Sequence, residues 1–335
     1  MRIAVVILNW NGKALLEKFL PSVTQYSKEA RVYVADNAST DDSIAFVTSR
    51  YPEVSLLQNE VNGGYAKGYN DALRHLDEDV FILLNSDVEV TPNWLRPIIQ
   101  EFEQHPNTAA VQPKILDYRK RDQFEYAGAA GGYLDMFAYP YCRGRIFDSI
   151  EKDEGQYNDR TRIFWASGAC LAIRKEDFYR AGGLDEDYFA HQEEIDLCWR
   201  LFNLNRDIMY IGSSVIYHLG GATLDSMNPR KTFFNFRNSL FSLVKNAAGR
   251  RVWFLIFSRL ILDGVAGVKF FLQFRLSHTL AIIKAHFSFY SYLGKMLKKR
   301  QQLPQKKYYY QVKSILFEFY GKGRKSYWEL NKNSF

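Results

Sequence analysis

Cysteine is scarce in this sequence of 335 residues, which contains three in all. Cys142, Cys170 and Cys198 stand 28 residues apart at each step. No two of them have the spacing of a metal-binding or redox-active pair, and an odd number argues against a framework of disulfides. The cysteine pattern therefore favours a protein of a reducing, cytosolic compartment.

Long apolar runs are missing as well. The first run, residues 3–8, ends in the turn-forming sequence Asn-Trp-Asn-Gly, so it predicts a buried first strand rather than a signal peptide. No uninterrupted apolar stretch approaches the ~20 residues that a membrane span needs. Internal repeats and the G-x-G-x-x-G spacing of dinucleotide-binding proteins are also absent from the sequence. Apolar residues nevertheless make up 47 % of the chain, which permits a sizeable core.

Charge is distributed unevenly along the chain, whose formal net charge is +7. Residues 225–335 carry 21 Lys and Arg against 4 Asp and Glu, whereas residues 1–224 carry 23 against 33. Acidic side chains in the first part can gather a divalent cation, and a basic, aromatic second part suits an anionic surface. The two parts of the chain are therefore expected to have different functions.

The second part begins near residue 230, where two runs of bulky apolar residues, 252–262 and 265–274, are interrupted by basic ones. This pattern favours helices that lie in a membrane interface, and basic clusters at 298–300 and 306–307 add attraction for anionic lipid headgroups. A helical subdomain docked on the core, or an oligomer contact, would give the same pattern. We expect a membrane surface as the partner of this region, and no nucleic acid.

The first part alternates segments that are typical of strands and of helices. The strand-like segments are 3–8, 31–35, 54–57, 80–84 and 109–112, and the helix-like segments are 13–25, 42–50, 65–76 and 93–104. Continuously apolar strands separated by helices predict an α/β fold with a mostly parallel sheet covered on both faces. Further along, a strand is predicted at 164–173 and a helix at 193–203, whereas residues 115–160 are predicted to be rich in loops. Ligands of such sheets bind beyond the carboxyl ends of the strands, so polar residues there are candidates for a site.

Two aspartates directly follow apolar strands. Asp87 closes the sequence Asn-Ser-Asp after segment 80–84 and can hold Mg²⁺ or Mn²⁺ together with phosphate oxygens and water. Asp36, with Asn37 beside it, can accept a hydrogen bond from the imide N–H of uracil or thymine. Each position is also typical of a turn or a helix-capping aspartate.

Three further groups have a functional and a structural interpretation. Residues 62–70 place glycines where backbone can approach a ligand closely, and Lys67 among them can approach a phosphate or simply lie in solvent. Glu193 and Glu194 stand in the first turn of the predicted helix, where the dipole stabilises acids, and one of them can be a general base. His218 follows the apolar segment 214–217 and is either a structural histidine or a metal ligand.

Segments 9–12, 36–41, 62–70, 85–87, 165–170 and 182–200 occur in the order of the motifs of family 2 glycosyltransferases. The resemblance covers roughly residues 1–240, and among subfamilies the sequence looks most similar to bacterial rhamnosyltransferases that build surface polysaccharides. The resemblance implies a nucleotide-binding domain of the GT-A type, a divalent cation, Mg²⁺ or Mn²⁺, and inversion of the anomeric centre.

The same resemblance gives roles to individual residues near the strand ends. Asp36 looks like the base-binding aspartate and Asp87 like the metal-binding carboxylate, although Asn85 and Ser86 stand where family members often have acids. His218, in segment 217–221, resembles a histidine with which related enzymes bind the metal.

The resemblance also bears on the general base and on the donor. The family's Glu-Asp pair is Glu193-Glu194 in this chain, so Glu194 takes the position of the base and Glu193 is the alternative. The predicted donor-binding residues are Asn9, Asn11, Asp36, Asn37, Asn62, Gly64, Lys67, Asn70 and Asp87.

The sequence thus predicts an inverting glycosyltransferase that moves a sugar, such as rhamnose, from a UDP- or dTDP-linked donor to the hydroxyl of a glycan or lipid-linked acceptor. This reaction would serve bacterial surface polysaccharide or lipid-linked glycan synthesis. Residues 1–228 are predicted to form the catalytic domain, and residues 229–335 a basic, aromatic-rich helical region at the inner face of the cytoplasmic membrane. The alternatives are a catalytically inactive nucleotide-sugar-binding protein of the same fold and a nucleotidyltransferase.

Overall fold

The structure, a computed structural model, describes residues 1–220, 228–302 and 304–330. The strands are β1 (Ile3–Asn9), β2 (Arg31–Asp36), β3 (Ser55–Gln58), β4 (Val80–Asn85), β5 (Val88–Val90), β6 (Thr108–Asp117), β7 (Gly132–Leu134), β8 (Pro140–Cys142), β9 (Arg145–Ile146), β10 (Ser149–Ile150), β11 (Arg160–Ile163), β12 (Cys170–Arg174) and β13 (Asp207–His218). The α-helices are α1 (Lys13–Tyr26), α2 (Ser43–Arg50), α3 (Gly64–Leu73), α4 (Leu95–Gln104), α5 (Lys175–Arg180), α6 (Glu193–Asn203), α7 (Pro229–Asn246), α8 (Arg251–Leu272) and α9 (Leu276–Arg300).

The central sheet has the strand order β11-β13-β6-β12-β4-β1-β2-β3, and β5 pairs with β13 at one end. Strands β3, β2, β1 and β4 run parallel, as do β6 and β13, while β12 runs antiparallel between β4 and β6. The predicted α/β class with a mostly parallel sheet is therefore confirmed.

Helices cover both faces of this sheet because its strands alternate core residues between the two sides. Ile3, Val5 and Ile7 of β1 pack with α1, α2 and α4 on one face. Ala4 and Val6 belong to the core on the other face, to which α3, α6 and α7 contribute. Burial on both sides is the reason why these strands are apolar throughout.

One sequence-based expectation is wrong in this region. The strand predicted at 164–173 is formed only at Cys170–Arg174, because Phe164 and Trp165 bond to Gly132 of a second sheet. Residues 115–160 are rich in loops, as predicted, but they also contain that second sheet, with the order β10-β9-β8-β7. Its strands have two or three residues each, which is too short for an alternating pattern to be visible in the sequence.

The helical nature of the basic second part is confirmed. The two predicted apolar runs belong to one helix, α8, which turns at Phe274 (φ 58°) into α9. The chain then returns to the second sheet, where Tyr327 stacks on Tyr133 with ring centroids 5.5 Å apart. The division at 228/229 stays a prediction, and residues 221–227 and 331–335 of its two parts lie outside the described residues. Within the described residues, no helix is long and apolar enough to cross a membrane.

Candidate functional site

The strand ends that the sequence singled out meet at one edge of the central sheet. In the register of the parallel strands, Asn9 at the end of β1 stands opposite Asp36 at the end of β2. On the other side of β1, Leu8 stands opposite Asn85, the last residue of β4. Parallel strands bring their carboxyl ends together, which is why residues far apart in sequence become neighbours here.

A hydrogen-bond network joins the first two strand ends. Asn9 Nδ2 donates to Asp36 Oδ1 at 3.0 Å and to Ser39 Oγ at 3.2 Å, and the backbone N–H of Ser39 donates to Asp36 Oδ2 at 2.9 Å. Asn11 Oδ1 accepts from the backbone N–H of Thr40 at 2.7 Å, which ties the loop after β1 to the loop after β2. Asp36 is buried, and each of its oxygens keeps a further lone pair for a ligand.

The glycine-containing segment after β3 extends the same edge. Asn37 Nδ2 donates to Asn62 Oδ1 at 2.9 Å and to the carbonyl of Gly64 at 3.1 Å. Gly64 has φ +78°, and a Cβ at this position would lie 2.5 Å from the carbonyl oxygen of Phe189. A side chain is therefore excluded at Gly64 for two reasons, the backbone conformation and the contact with the loop before α6.

Two predicted donor-binding residues on α3 are engaged elsewhere. Lys67 Nζ pairs with Asp71 Oδ2 at 2.6 Å, and the hydrogen bond to that carboxylate raises the pKa of this exposed lysine. Asn70 donates to the carbonyl of Leu184 at 2.8 Å and accepts from its N–H at 3.0 Å. Asn70 thus joins α3 to the turn before α6, and donor contacts of both residues stay predictions.

Asp87 and His218 come together at the end of β4. His218 Nε2 lies 3.1 Å from Asp87 Oδ1, because the last residues of β13 pair with β5, which begins directly after Asp87. On the far side of the ring, Nδ1 lies 3.2 Å from Glu125 Oε2. All three side chains are buried, so the imidazole is enclosed between two carboxylates.

This arrangement shifts the pKa values of both partners. Burial acts to lower the pKa of His218, but the charges of Glu125 and Asp87 and their hydrogen bonds outweigh it and raise that pKa to about 10. Burial acts to raise the pKa of Asp87, but the hydrogen bond and charge of His218 outweigh it and the pKa is lowered. In its protonated form His218 can donate to both carboxylates, through Nε2 to Asp87 and through Nδ1 to Glu125.

The geometry of this pair fits a divalent cation. Two neighbouring ligands of an octahedral ion at ~2.1 Å stand about 3.0 Å apart, close to the 3.1 Å that separates Asp87 Oδ1 from His218 Nε2. Glu125 on the other ring nitrogen is the usual outer partner of a metal-binding histidine, since it fixes the tautomer. No group of three potential ligands is assembled in the part of the chain that the structure describes. Phosphate oxygens and water would have to complete the coordination.

Glu193 and Glu194 open α6 as predicted, with three acids in its first turn. Glu193 is buried, at 4 % exposure, whereas Glu194 is partly exposed. Burial, joined for Glu193 by the charge of Glu194, raises the pKa of Glu193 well above its ordinary value. Burial raises the pKa of Glu194 to about 7, against the effect of backbone N–H groups of the helix start and of Gly168.

The turn before β12 connects the glutamates to the aspartate site. The backbone N–H of Gly168 contributes to the environment of the Glu194 carboxyl group, and its carbonyl accepts from Tyr65 Oη at 2.8 Å. The next carbonyl, of Ala169, accepts from the N–H of Asn85 at 3.1 Å. The turn at 168–169 therefore contacts both Asn85 at the end of β4 and the start of α6, and so links the two sets of acids that the sequence proposed.

Several buried polar atoms of the candidate residues and of the loop before α6 have no hydrogen-bond partner among the described residues. They include Asn9 Oδ1, His191 Nε2, Glu193 Oε2 and Glu194 Oε2. A buried polar atom without a partner costs free energy, so each of these four atoms is a candidate contact for a ligand or a reacting group.

The loop before α6 has a strained backbone. Phe189, His191 and Gln192 have φ values of 63°, 68° and 73°, a region that residues with a side chain rarely occupy. Asn238 of α7 holds this loop, since its Nδ2 lies 3.1, 2.9 and 2.7 Å from the carbonyl oxygens of residues 188, 190 and 191. Helix α7 therefore supports the glutamates although it was assigned to the second part of the chain.

We expect Asn238→Ala to loosen the loop at 188–192. The substitution leaves buried carbonyl groups without a donor, which costs about 1–3 kcal/mol. Hydrogen exchange of the amides at 189–192 should accelerate, and the free energy of unfolding measured in urea should fall. Gln104→Ala, at the end of α4 where the exposed side chain makes no described hydrogen bond, is the control. Equal exchange in the Asn238 variant and the wild type would show that the strain is supported in another way.

Sequence reasoning missed Glu125, which lies in no recognisable pattern and reaches His218 only through a distant contact. Gly168 lies in segment 165–170, which carries part of the resemblance, but its contact with Glu194 could not be read from the sequence. Asn238 could have been suspected, since asparagine inside an apolar helix face is unfavourable unless its amide is used. Asp196 pairs with Arg200 one turn along α6 at 2.9 Å, and Lys245 of α7 contacts the same carboxylate at 2.9 Å.

Comparison with known proteins identifies the family. The model of the glycosyl transferase family 2 matches residues 4–182, which is more than half of the chain. The chain belongs to glycosyltransferase family 2. The match includes the strand ends of β1, β2 and β4 with Asp36 and Asp87, and it ends before α6.

Relatives of this family 2 glycosyltransferase include two rhamnosyltransferases. The N-acetylglucosaminyl-diphospho-decaprenol L-rhamnosyltransferase of Mycobacterium tuberculosis is 28 % identical over 232 residues, which are 64 % of this chain and 75 % of that protein. The rhamnosyltransferase WbbL of Escherichia coli is 23 % identical over 261 residues, 74 % of this chain and 93 % of that protein. The predicted resemblance to rhamnosyltransferases is confirmed.

Solved structures confirm the GT-A type of the fold. GalNAc-T7, crystallised with UDP, GalNAc and Mn²⁺, superposes with a TM-score of 0.58 at 16 % identity. The superposition covers 73 % of this chain and 48 % of that one, so the glycosyltransferase described here matches about half of its neighbour. At this identity the likeness concerns the fold alone.

Proposed function

We propose that this glycosyltransferase transfers rhamnose with inversion, from a nucleotide-diphosphate donor to a hydroxyl group of a lipid-linked glycan. One observation carries the proposal. The Asp87–His218 pair stands at the end of β4, and the turn at 168–169 contacts both Asn85 at that strand end and the partly exposed Glu194. Sugar transfer needs one group that offsets the charge of the leaving diphosphate and another that deprotonates the attacking hydroxyl, and these two groups must lie within the length of one sugar of each other.

The donor is bound along the strand ends. Asp36 accepts the imide N–H of a pyrimidine base, which restricts the donor to UDP- or dTDP-linked sugars. Asn9 lies beside Asp36 and donates to it. Its Oδ1, which is buried and unpartnered within the described residues, is a further hydrogen-bond acceptor for the donor. The name of the mycobacterial relative supports rhamnose as the sugar and a diphospho-polyprenol glycan as the acceptor.

Asp87 and His218 would hold Mg²⁺ or Mn²⁺ with two of its coordination positions. A divalent cation there would offset the charge that develops on the leaving diphosphate. His218 must then lose its proton on Nε2, while Glu125 keeps Nδ1 protonated and the ring in place.

Glu194 accepts the proton of the acceptor hydroxyl. At the same time the oxygen of that hydroxyl attacks the anomeric carbon on the face opposite the leaving group. A pKa of about 7 is matched to this task near neutral pH, because an ordinary glutamate would be too weak a base. Glu193 beside it is more deeply buried, and the charge of Glu194 together with this burial raises the pKa of Glu193 and favours its protonated form.

We further propose that transfer takes place on the cytoplasmic side of the bacterial membrane, in surface polysaccharide or lipid-linked glycan synthesis. Two observations support this location. A lipid-linked acceptor of the kind named for the relative is held in a bilayer. Residues 228–302 carry a single acidic residue, so their surface suits anionic lipid.

A donor screen tests the reaction. The protein is incubated with Mn²⁺ and dTDP-rhamnose, UDP-glucose, UDP-GlcNAc or GDP-mannose, and with a short polyprenyl-diphosphate GlcNAc as acceptor. We expect release of nucleoside diphosphate from dTDP-rhamnose. Release of pyrophosphate would indicate a nucleotidyltransferase instead, and donor binding by thermal shift without turnover of any donor would indicate an inactive binding protein.

We expect Asp36→Asn to weaken donor binding without slowing the bound donor's reaction. A hydrogen bond to a charged group is worth about 1.5–3 kcal/mol, so KM for the donor should rise roughly tenfold to a hundredfold with kcat nearly unchanged. Steady-state kinetics measure both values. Asp41→Asn is the matched control, since Asp41 accepts from the N–H groups of Lys13 and Ser43 at the starts of two helices. A lower kcat at unchanged KM would place Asp36 in the chemical step.

A further inference from the structure

The outer side of the α8–α9 hairpin is a large exposed apolar surface. On α8, exposed residues at spacings of three and four form one stripe, made of Phe254, Phe257, Ile261, Val265, Val268 and Leu272. On α9 a second stripe has the same periodicity, with Leu276, Leu280, Ile283, Phe287 and Tyr290. We call the two stripes together the hairpin face.

The hairpin face is separate from the sides of α8 and α9 that pack in the core. The opposite sides of both helices are already buried, through Leu255 and Ile256 on α8 and Ala281, Ile282 and Phe289 on α9. Side chains in the hairpin face reach 72 % exposure at Phe287, and Phe274 at the tip is 92 % exposed. Monomeric soluble proteins rarely expose an apolar patch that extends along two helices, so this one is expected to have a partner.

Charge decides which partner fits. Asp263 is the only acid between residues 228 and 302, and it is fully buried against Arg259, with Nε to Oδ1 at 2.8 Å. The exposed charges of the hairpin are all positive, namely Arg251, Lys269, Arg275, Lys284, Lys295 and Lys298. A second copy of the chain would bring like charges together, whereas anionic lipid headgroups complement them.

We propose that the hairpin face inserts into the outer part of an anionic bilayer leaflet, with α8 and α9 lying in the plane of the membrane. Helices with a long apolar stripe and basic residues beside it bind in this way, at the boundary of headgroups and acyl chains. The bulky side chains of the face enter the acyl region, and the stems of Lys269 and Lys284 extend back to the phosphates.

The hairpin is also tied to the candidate active site. Lys295 of α9 pairs with Asp187 at 2.6 Å, and Lys299 of the same helix pairs with Asp187 at 2.7 Å and with Asp185. These aspartates lie just before the strained loop that leads to Glu194. A bilayer bound at the hairpin face would therefore hold the acceptor side of the site at a fixed position relative to the lipid surface. This step rests on the proposed lipid-linked acceptor, whereas the insertion itself does not.

Vesicle flotation of the full chain tests the insertion. The wild type is mixed with vesicles of phosphatidylcholine alone or of phosphatidylcholine with phosphatidylglycerol. We expect it to float with the anionic vesicles and to bind the neutral ones at least tenfold more weakly, because basic residues near the surface each add to the attraction. The triple variant Phe254→Ser, Phe257→Ser, Phe287→Ser should lose at least a further tenfold, because burial of bulky apolar groups drives interfacial binding.

Controls make the result decisive. Val61→Ser changes an apolar residue of similar exposure on the loop after β3 and should bind as the wild type does. Unfolding curves of the triple variant should match those of the wild type, because the three side chains are exposed. Equal flotation of the triple variant and the wild type would overturn the proposal. So would a dimer in sedimentation velocity that the triple substitution dissociates, since the face would then be a contact between copies.

Transfer assays with two kinds of acceptor distinguish a failure of the proposed reaction from a failure of the proposed insertion. If the insertion is correct and the reaction as well, the triple variant should keep transfer to a short-chain, water-soluble acceptor and lose transfer to an acceptor embedded in vesicles. If no donor is turned over, flotation still reports on the hairpin face alone.

Discussion

Asp87→Ala should abolish metal-dependent sugar transfer, with a loss of about a thousandfold or more in kcat/KM. The reason is that charge stabilisation by a bound cation is worth several kcal/mol, and Asp87 is the carboxylate that would hold this cation together with His218. The measurement is the rate of nucleoside diphosphate release over a titration with Mn²⁺, after removal of bound metal by a chelator.

Asp42→Ala is the matched control for this substitution. Asp42 is an acid near the same strand-end edge, but its side chain is 79 % exposed and pairs with Lys13 at 3.1 Å. It should leave both the rate and the Mn²⁺ dependence unchanged. A wild-type rate in the Asp87 variant, or a wild type that works equally well in chelator, would contradict the assignment of the metal site.

Glu194→Gln should lower kcat by about a hundredfold or more while donor binding stays nearly intact, in keeping with the contribution of a general base. Activity of the wild type should rise with pH through an apparent pKa near 7, because the carboxyl group must be ionised to accept the proton. The glutamine variant should lack this rise. Steady-state rates from pH 5 to 9, with donor affinity measured in parallel, separate the two effects.

Glu193→Gln is the built-in comparison, since it removes a neighbouring acid of the same kind at a more deeply buried position. We expect it to retain the base and to leave the apparent pKa of Glu194 nearly unchanged, because burial and the charge of Glu194 keep Glu193 protonated while Glu194 titrates. A hundredfold loss in Glu193→Gln alone would move the base by one residue. If neither variant loses activity, the base lies elsewhere.

The substitution Glu194→Gln also has a consequence for stability. The pKa of Glu194 is raised in the folded state from 4.5 to about 7, so the folded protein binds more protons than the unfolded chain between these values. The free energy of unfolding should therefore fall as pH rises through this window, and Glu194→Gln should flatten that slope.

The sequence predicted the sheet and the site edge for the same physical reason. Strands such as β1 and β4 are buried on both faces and are therefore apolar throughout, so the first polar residue after each marks its end. Parallel pairing then places Asn9, Asp36 and Asn85 side by side, whatever their distance in sequence. The helix at 193–203 was predicted with its bounds, because an acidic first turn marks its start.

Contacts between distant segments could not be predicted in this way. Glu125 lies in a stretch of very short strands without periodicity, and it reaches His218 only through the folding of the second sheet. Asn238 belongs to a helix that sequence composition assigned to a separate region, yet it holds the loop before Glu194. Charge and composition divide the chain into two parts, whereas packing joins α7 to the first part.

The anomeric configuration of the product tests the central claim most directly. Nuclear magnetic resonance of the purified product of dTDP-rhamnose turnover by the wild type gives the anomeric configuration of the new glycosidic bond. Attack by a hydroxyl that Glu194 deprotonates, on the face opposite a leaving diphosphate whose charge a cation at Asp87 and His218 would offset, predicts inversion. Retention of configuration would contradict this account, since a single attack opposite the leaving group can only invert the anomeric centre.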